Sequence, residues 1–83
     1  MGSAFYFRVR GSAEGSVWGT DTYTGDSSLA AAAVHAGLVE IDETKIVKVT
    51  VVQPLTQYQG SQRHGVISHN FGRFGTAYRL SGI

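Results

Sequence analysis

The sequence predicts an α+β domain built around one short central helix. Three observations carry this reading. Phe5, Phe7 and Val9 alternate with Tyr6, Arg8 and Arg10, the period-two pattern of a strand with one buried face. Val47, Val49 and Val51 alternate with Lys48 and Thr50 in the same way. Between these runs, residues 27–36 are bracketed by helix-capping residues yet carry no charged face. At 83 residues and 8.9 kDa, residues 1–83 are expected to form one domain.

Taken in order, the first strand gives way to a turn over residues 11–15. Residues 16–18 read as a short strand, and 19–25 as a loop in which Asp21, Thr22 and Thr24 can bond their own backbone. Asp26 or Ser27 then caps the helix, which closes at Gly37. Leu29, Ala30, Ala33 and Val34 form one stripe, but the opposite side is Ala31, Ala32 and His35. A surface helix would show charge there, so this helix is expected to be surrounded by chain, its alanines letting strands approach closely. The clearest strand, 45–53, ends at Pro54. A polar Gln/Gly loop over 55–65 follows, then a short strand at 66–68, a Gly-rich turn and a last strand at 76–80. The predicted order is β-β-α-β-β-β.

Cysteine is absent, so neither a disulfide framework nor a thiolate metal site can stabilise so small a chain. Packing must do it, alone or with neighbours. No run is long and apolar enough for a transmembrane helix. The N-terminus shows neither the apolar run of a signal peptide nor a myristoylation pattern, since Tyr6 stands where Ser or Thr is needed. The net charge of +1 conceals segregation. Residues 11–43 hold all six acids and no Lys or Arg, residues 44–83 hold five basic residues and no acid, and Arg8 and Arg10 precede both. Such asymmetry fits an anion-binding face or complementary faces within or between copies, unless folding mixes the charges over one surface.

The run from Tyr23 through Ser27, Ser28, Leu29, Ala32, Ala33, Val34 and His35 to Gly37 closely resembles the signature of the LCCL domain, a tyrosine, a serine pair, an apolar residue and then Ala-Ala-Val-His-x-Gly. Tyr58, Gly65-Val66-Ile67-Ser68 and Arg73-Phe74 resemble the family's C-terminal pattern, so the resemblance covers about residues 17–80. It implies a central helix wrapped by two small irregular β-sheets, with Tyr23, Ser27, Ser28, His35, Gly37 and Gly65 as structural motif residues. It also implies a non-enzymatic module, extracellular or at the cell surface, with no cofactor. Where the family carries a helix cysteine this chain has Ala30, the N-terminal cysteine pair is missing, and Phe74 replaces a tryptophan.

The chemistry-bearing residues fit that expectation. Ser28, His35 and Asp26 are the residue types of a hydrolytic triad, but Ser28 and His35 lie about two helical turns apart and capping accounts for the serines. His64 and His69 match no zinc spacing, and Asp21 and Asp26 lack the oxygen spacing of a calcium loop, so no metal is expected. Aromatic and basic residues interleave in residues 5–10 and 71–79, but alternating strands produce this by default and no nucleic-acid motif is matched, which argues against nucleic acid. The leading expectation is self-association into a homo-oligomer or filament of structural or adhesive role. Asp21, Glu40, Asp42 and Glu43 of one copy would face Lys45, Lys48 and the other C-terminal cations of another, with Tyr6, Tyr58 and Phe71 supplying aromatic area. The alternative is binding of an anionic glycan, lipopolysaccharide or lipid headgroup through Arg63, His64, Arg73 and Arg79.

Overall fold

The computed structural model describes residues 2–82, in the order β1 (Ala4–Arg10), β2 (Gly19–Thr20), β3 (Thr22–Thr24), α1 (Leu29–His35), β4 (Thr44–Val52), β5 (Gln62–Arg63), β6 (Val66–Ile67) and β7 (Ala77–Gly82). The two period-two runs become the longest strands and pair with each other, Phe7 opposite Val47. β7 pairs with the other side of β4, and the β2–β3 hairpin completes an antiparallel sheet of order β1-β4-β7-β3-β2. β5 and β6 form a separate two-stranded sheet. The fold is α+β, as expected, and β6 falls on the strand read at 66–68, but the β2–β3 hairpin and β5 lie in segments read as loops.

Each hairpin has a local cause. The β5–β6 turn is His64-Gly65, both at positive φ (53° and 82°), the arrangement of a tight two-residue hairpin turn, in which glycine is free of the Cβ clash. His-Gly is not one of the strong turn pairs, which hides it in the sequence. In the β2–β3 turn Asp21 alone takes a positive φ, of 66°. Residues 16–18 form no strand, and Trp18 makes only an isolated bridge to His69.

Helix α1 is one turn shorter than predicted. Its cap is Ser28, whose Oγ accepts from the Ala31 N–H at 3.4 Å, in place of Asp26 or Ser27. At the other end the Leu38 N–H reaches the Ala33 carbonyl and the Gly37 N–H reaches that of Val34, a Schellman closure with Gly37 at φ 81°. The helix packs against β1 on one side and against β5 and β6 on the other. Ala31, Ala32, Ala33 and His35 have no solvent exposure.

The inner face of the large sheet supplies Val9, Val47, Val49, Tyr78 and Tyr23 to the core. Phe5 and Phe7 share that face but are 51% and 45% exposed, contrary to the alternation. The reason is length. A seven-residue helix is about 10 Å long, whereas seven strand residues span about 24 Å, so α1 covers the Val9 end of β1 and leaves the rest.

An enclosed alanine face leaves no room for growth. Ala32→Leu and Ala33→Leu are each expected to lower unfolding free energy by about 1–3 kcal/mol through overpacking, read as a shifted midpoint in denaturant melts. Two neutral variants would mean a solvent-facing helix.

Candidate functional site

The polar motif residues are consumed in joining the layers. His35 Nε2 lies 3.1 Å from the Ser61 carbonyl, which can only accept, so Nε2 carries the proton and Nδ1 accepts from the Tyr23 hydroxyl at 2.9 Å. Ser61 Oγ continues the chain to Thr20 Oγ1 at 2.6 Å. The imidazole thereby ties the helix to β3 and to the start of β5. Burial holds the His35 pKa below its ordinary value, and burial raises that of Tyr23. Ser27 Oγ bonds Thr24 and the Trp18 backbone, and the Tyr78 hydroxyl donates to the Ser27 carbonyl. His64 Nδ1 donates to the His35 carbonyl at 3.1 Å and its ring stands over Gly37, where a Cβ would come within 2.9 Å of it. Among the described residues no three His, Asp or Glu side chains gather as a metal-binding group.

The four residues expected to hold an anion do not converge. Arg63 is engaged by Asp21 at 2.8 Å. His64 sits against the end of α1, on the inner side of the large sheet, while Arg79 projects from its outer side. Arg73 is exposed in the loop before β7. The charge-paired association also needs correction. Asp42 lies 3.5 Å from Arg10, because the β1–β4 register brings these segments together, and Glu43 lies 3.7 Å from Lys45, its neighbour two positions along the chain. With Asp21 on Arg63, three of the four named acids face cations of their own chain, and only Glu40 is left without an ion pair. Tyr58 cannot supply contact area: it is 1% exposed, its hydroxyl accepting from the Leu55 N–H and donating to the Phe74 carbonyl. Tyr6 and Phe71 are exposed as expected, Phe71 packing edge-on against Trp18 and Phe74.

What the register does assemble is a basic outer face. Residues directly opposite in an antiparallel pair share a face. Tyr6, Lys48 and Ser81 therefore form one row, Thr50, Arg79 and Thr22 the next, and Arg8 lies beside Ile46 in the row before. Arg8, Lys48 and Arg79 run as one diagonal over β1, β4 and β7, each step about 7–8 Å. No carboxylate belongs to these rows, and none of the three cations is ion-paired among the described residues. Tyr6, 61% exposed, stands between Lys48 and Arg8. Arg8 was missed by sequence reasoning. Its signal was present in the outward positions of the first strand, but nothing local says which strand lies beside it.

A second depression, of about 630 Å³, lies beside the end of α1, floored by Val34, Leu38 and Ile41 and rimmed by Glu40, Glu43, Lys45 and His64. Its rim mixes both signs of charge, and its basic member is already paired to Glu43.

Residues 7–76 match the profile of the LCCL domain. The chain is 38% identical over 69 residues to the human cysteine-rich secretory protein LCCL domain-containing 2, covering 81% of this chain and 14% of that protein. It is 30% identical over 59 residues to the transcriptional regulatory protein rxt3 of Schizosaccharomyces pombe, covering 66% of this chain and 17% of that protein. The chain thus spans less than a fifth of either relative's length. Tyr6 and Arg79 of the basic face fall outside the matched residues.

Because the folded pKa of His35 is lowered, the folded state keeps it neutral while the unfolded chain takes up a proton below about pH 6.5. Its contribution is complete above that pH and is lost as pH falls through the folded pKa. Melts from pH 7.5 to 5 should show stability dropping with acid, and His35→Ala should start less stable and lose this part of the slope. Parallel slopes in parent and variant would show that His35 is not the responsible group.

Proposed function

The chain belongs to the LCCL domain family, and on that premise we propose that it is a single non-catalytic binding domain whose basic sheet face holds sulfate or phosphate groups of an anionic glycan or lipid. The central helix between two small sheets is read as the family's fold, and the setting as outside the cell or at its surface, as the name of the human relative suggests for that protein. No helix of the described residues is long and apolar enough to cross a membrane.

The observation that carries the reading is the diagonal of Arg8, Lys48 and Arg79 with no carboxylate in its rows. Three like charges at this spacing repel one another, a cost that a bound polyanion removes. Two arginines offer planar, multi-donor contacts to sulfate or phosphate oxygens, and Lys48 adds a point charge between them. Thr50 and Ser81 place hydroxyls in the same rows. Of the residues first expected to bind the anion, Arg79 stays in the site, while Arg8 and Lys48 take the places of Arg63, His64 and Arg73. A structural, self-associating role is the second reading. Its support is no longer opposite charge but the open edge of β1.

Retention on immobilised heparin, and on vesicles with phosphatidylglycerol against phosphatidylcholine alone, tests the binding. The parent should bind the anionic supports and elute with salt. Arg8→Ala and Arg79→Ala should each weaken binding about tenfold, and Arg73→Ala should leave it unchanged. Equal loss in all three would mean diffuse attraction without a site. Equal competition by duplex DNA would overturn the glycan or lipid assignment.

A further inference from the structure

The two edges of the large sheet are finished differently. β2 is two residues long, and the hydroxyl of its Thr20 donates to the Gln59 carbonyl. β1 is seven residues long, contains no proline, and carries no charged side chain on its inner face. Its backbone phase follows from one contact. The Gly11 N–H bonds the Glu43 carbonyl at 2.9 Å, so in the alternating ladder Phe5, Phe7 and Val9 exchange hydrogen bonds with β4. Ala4, Tyr6, Arg8 and Arg10 then turn their N–H and C=O groups outward, and no other backbone group of the described residues meets them. Phe5 and Phe7, their rings 6.4 Å apart, stand half-exposed along the same edge. Natural sheets cap or shorten such edges, and this one is neither.

We propose that two copies of this chain pair edge to edge through β1, antiparallel about a two-fold axis at Phe7, joining two five-stranded sheets into one of ten strands. The sequence of β1 selects this occupant and this register. Outward-facing residues must meet outward-facing residues, which allows two-fold axes only at Tyr6, Phe7 or Arg8 near the middle of the strand. An axis at Arg8 sets the two Arg8 side chains against each other, a like-charge pair. An axis at Tyr6 pairs only residues 4–8 of the strand. The axis at Phe7 pairs all seven residues. It places each Tyr6 opposite the other copy's Arg8, a guanidinium beside an aromatic ring on the outer face. On the inner face it sets Phe7 against Phe7 and Phe5 against Val9, covering the apolar surface that α1 is too short to reach. The two basic diagonals then lie on one continuous outer face.

This dimer differs from one held by opposite charges in its response to salt. The two Arg8 side chains become diagonal neighbours, so screening relieves repulsion and salt should not weaken the pairing.

Sedimentation of the full chain at rising concentration, in low and high salt, should show a monomer–dimer equilibrium that salt preserves. Tyr6→Pro removes an outward N–H without touching the β4 ladder and should give a folded monomer by circular dichroism. Phe7→Cys introduces the chain's only thiol at a non-hydrogen-bonded pair about 4.5 Å apart at Cα, within disulfide range. Mild oxidation should cross-link Phe7→Cys rapidly and Tyr6→Cys slowly. A parent that stays monomeric, or a folded Tyr6→Pro that still dimerises, would overturn the proposal, and faster cross-linking of Tyr6→Cys would overturn the register. Heparin binding by the parent, measured at a concentration where sedimentation shows only monomer, separates this result from the anion-binding reading, which needs only one copy.

Discussion

Everything in this structure is arranged around a seven-residue helix with sheets on both sides. The gap between the large sheet and the β5–β6 hairpin admits alanine and little else, which is why Ala31, Ala32 and Ala33 are fully buried and no charged residue follows the cap. So short a helix has almost no stability of its own and depends on the contacts that enclose it. His35 is the polar tie among them. Its two ring nitrogens reach a tyrosine of β3 and the carbonyl of Ser61, so one side chain spans all three layers, and among the described residues no buried side-chain polar atom is left without a partner. The apolar packing supplies the driving force, and the hydrogen bonds set which elements meet.

The same economy leaves surface unfinished. One short helix covers part of one face of a five-stranded sheet, so the outer face over β1, β4 and the later part of β7 stays open and all three aromatic residues of β1, Phe5, Tyr6 and Phe7, lie exposed. Small domains cannot bury enough surface to finish every face and edge. Here the unfinished parts are chemically distinct: a basic face without carboxylates, and a strand edge with unpaired backbone and two phenylalanines. The binding reading belongs to the first and the dimer to the second, and they share Tyr6 and Arg8, whose side chains point to the face while their backbone groups point to the edge.

Charge does not stay segregated once the chain folds. The acidic middle and basic end of the sequence invite a picture of opposed faces, yet Asp21, Asp42 and Glu43 each meet a cation of their own chain. These exposed pairs are worth little individually, about 0.2–1 kcal/mol. Their consequence is distribution: they neutralise Arg10, Lys45 and Arg63 and leave Arg8, Lys48, Arg73 and Arg79 without an ion pair among the described residues, all but Arg73 on the outer face of the large sheet.

Local pattern was enough for the α+β class, the two long strands, the buried helix with its Gly37 closure, and the family motif, because caps, periodicity and a missing charged face are properties of neighbouring residues. The β2–β3 hairpin escaped, and so did the β5 arm that pairs with the expected strand at 66–68, since Asp21 and His64 take left-handed conformations that their residue types only tolerate. The burial of Tyr58, the exposure of Phe5 and Phe7, and the partners of Arg63 and Asp21 were decided by contacts between residues 16 to 42 positions apart, or by the reach of the helix. The basic diagonal is the clearest case. Each of its residues sits at an outward position of a strand, but only the pairing of β1 with β4 and of β4 with β7 brings them together. Strand order and register are set by the whole core finding its lowest free energy, and no window along the chain contains that information.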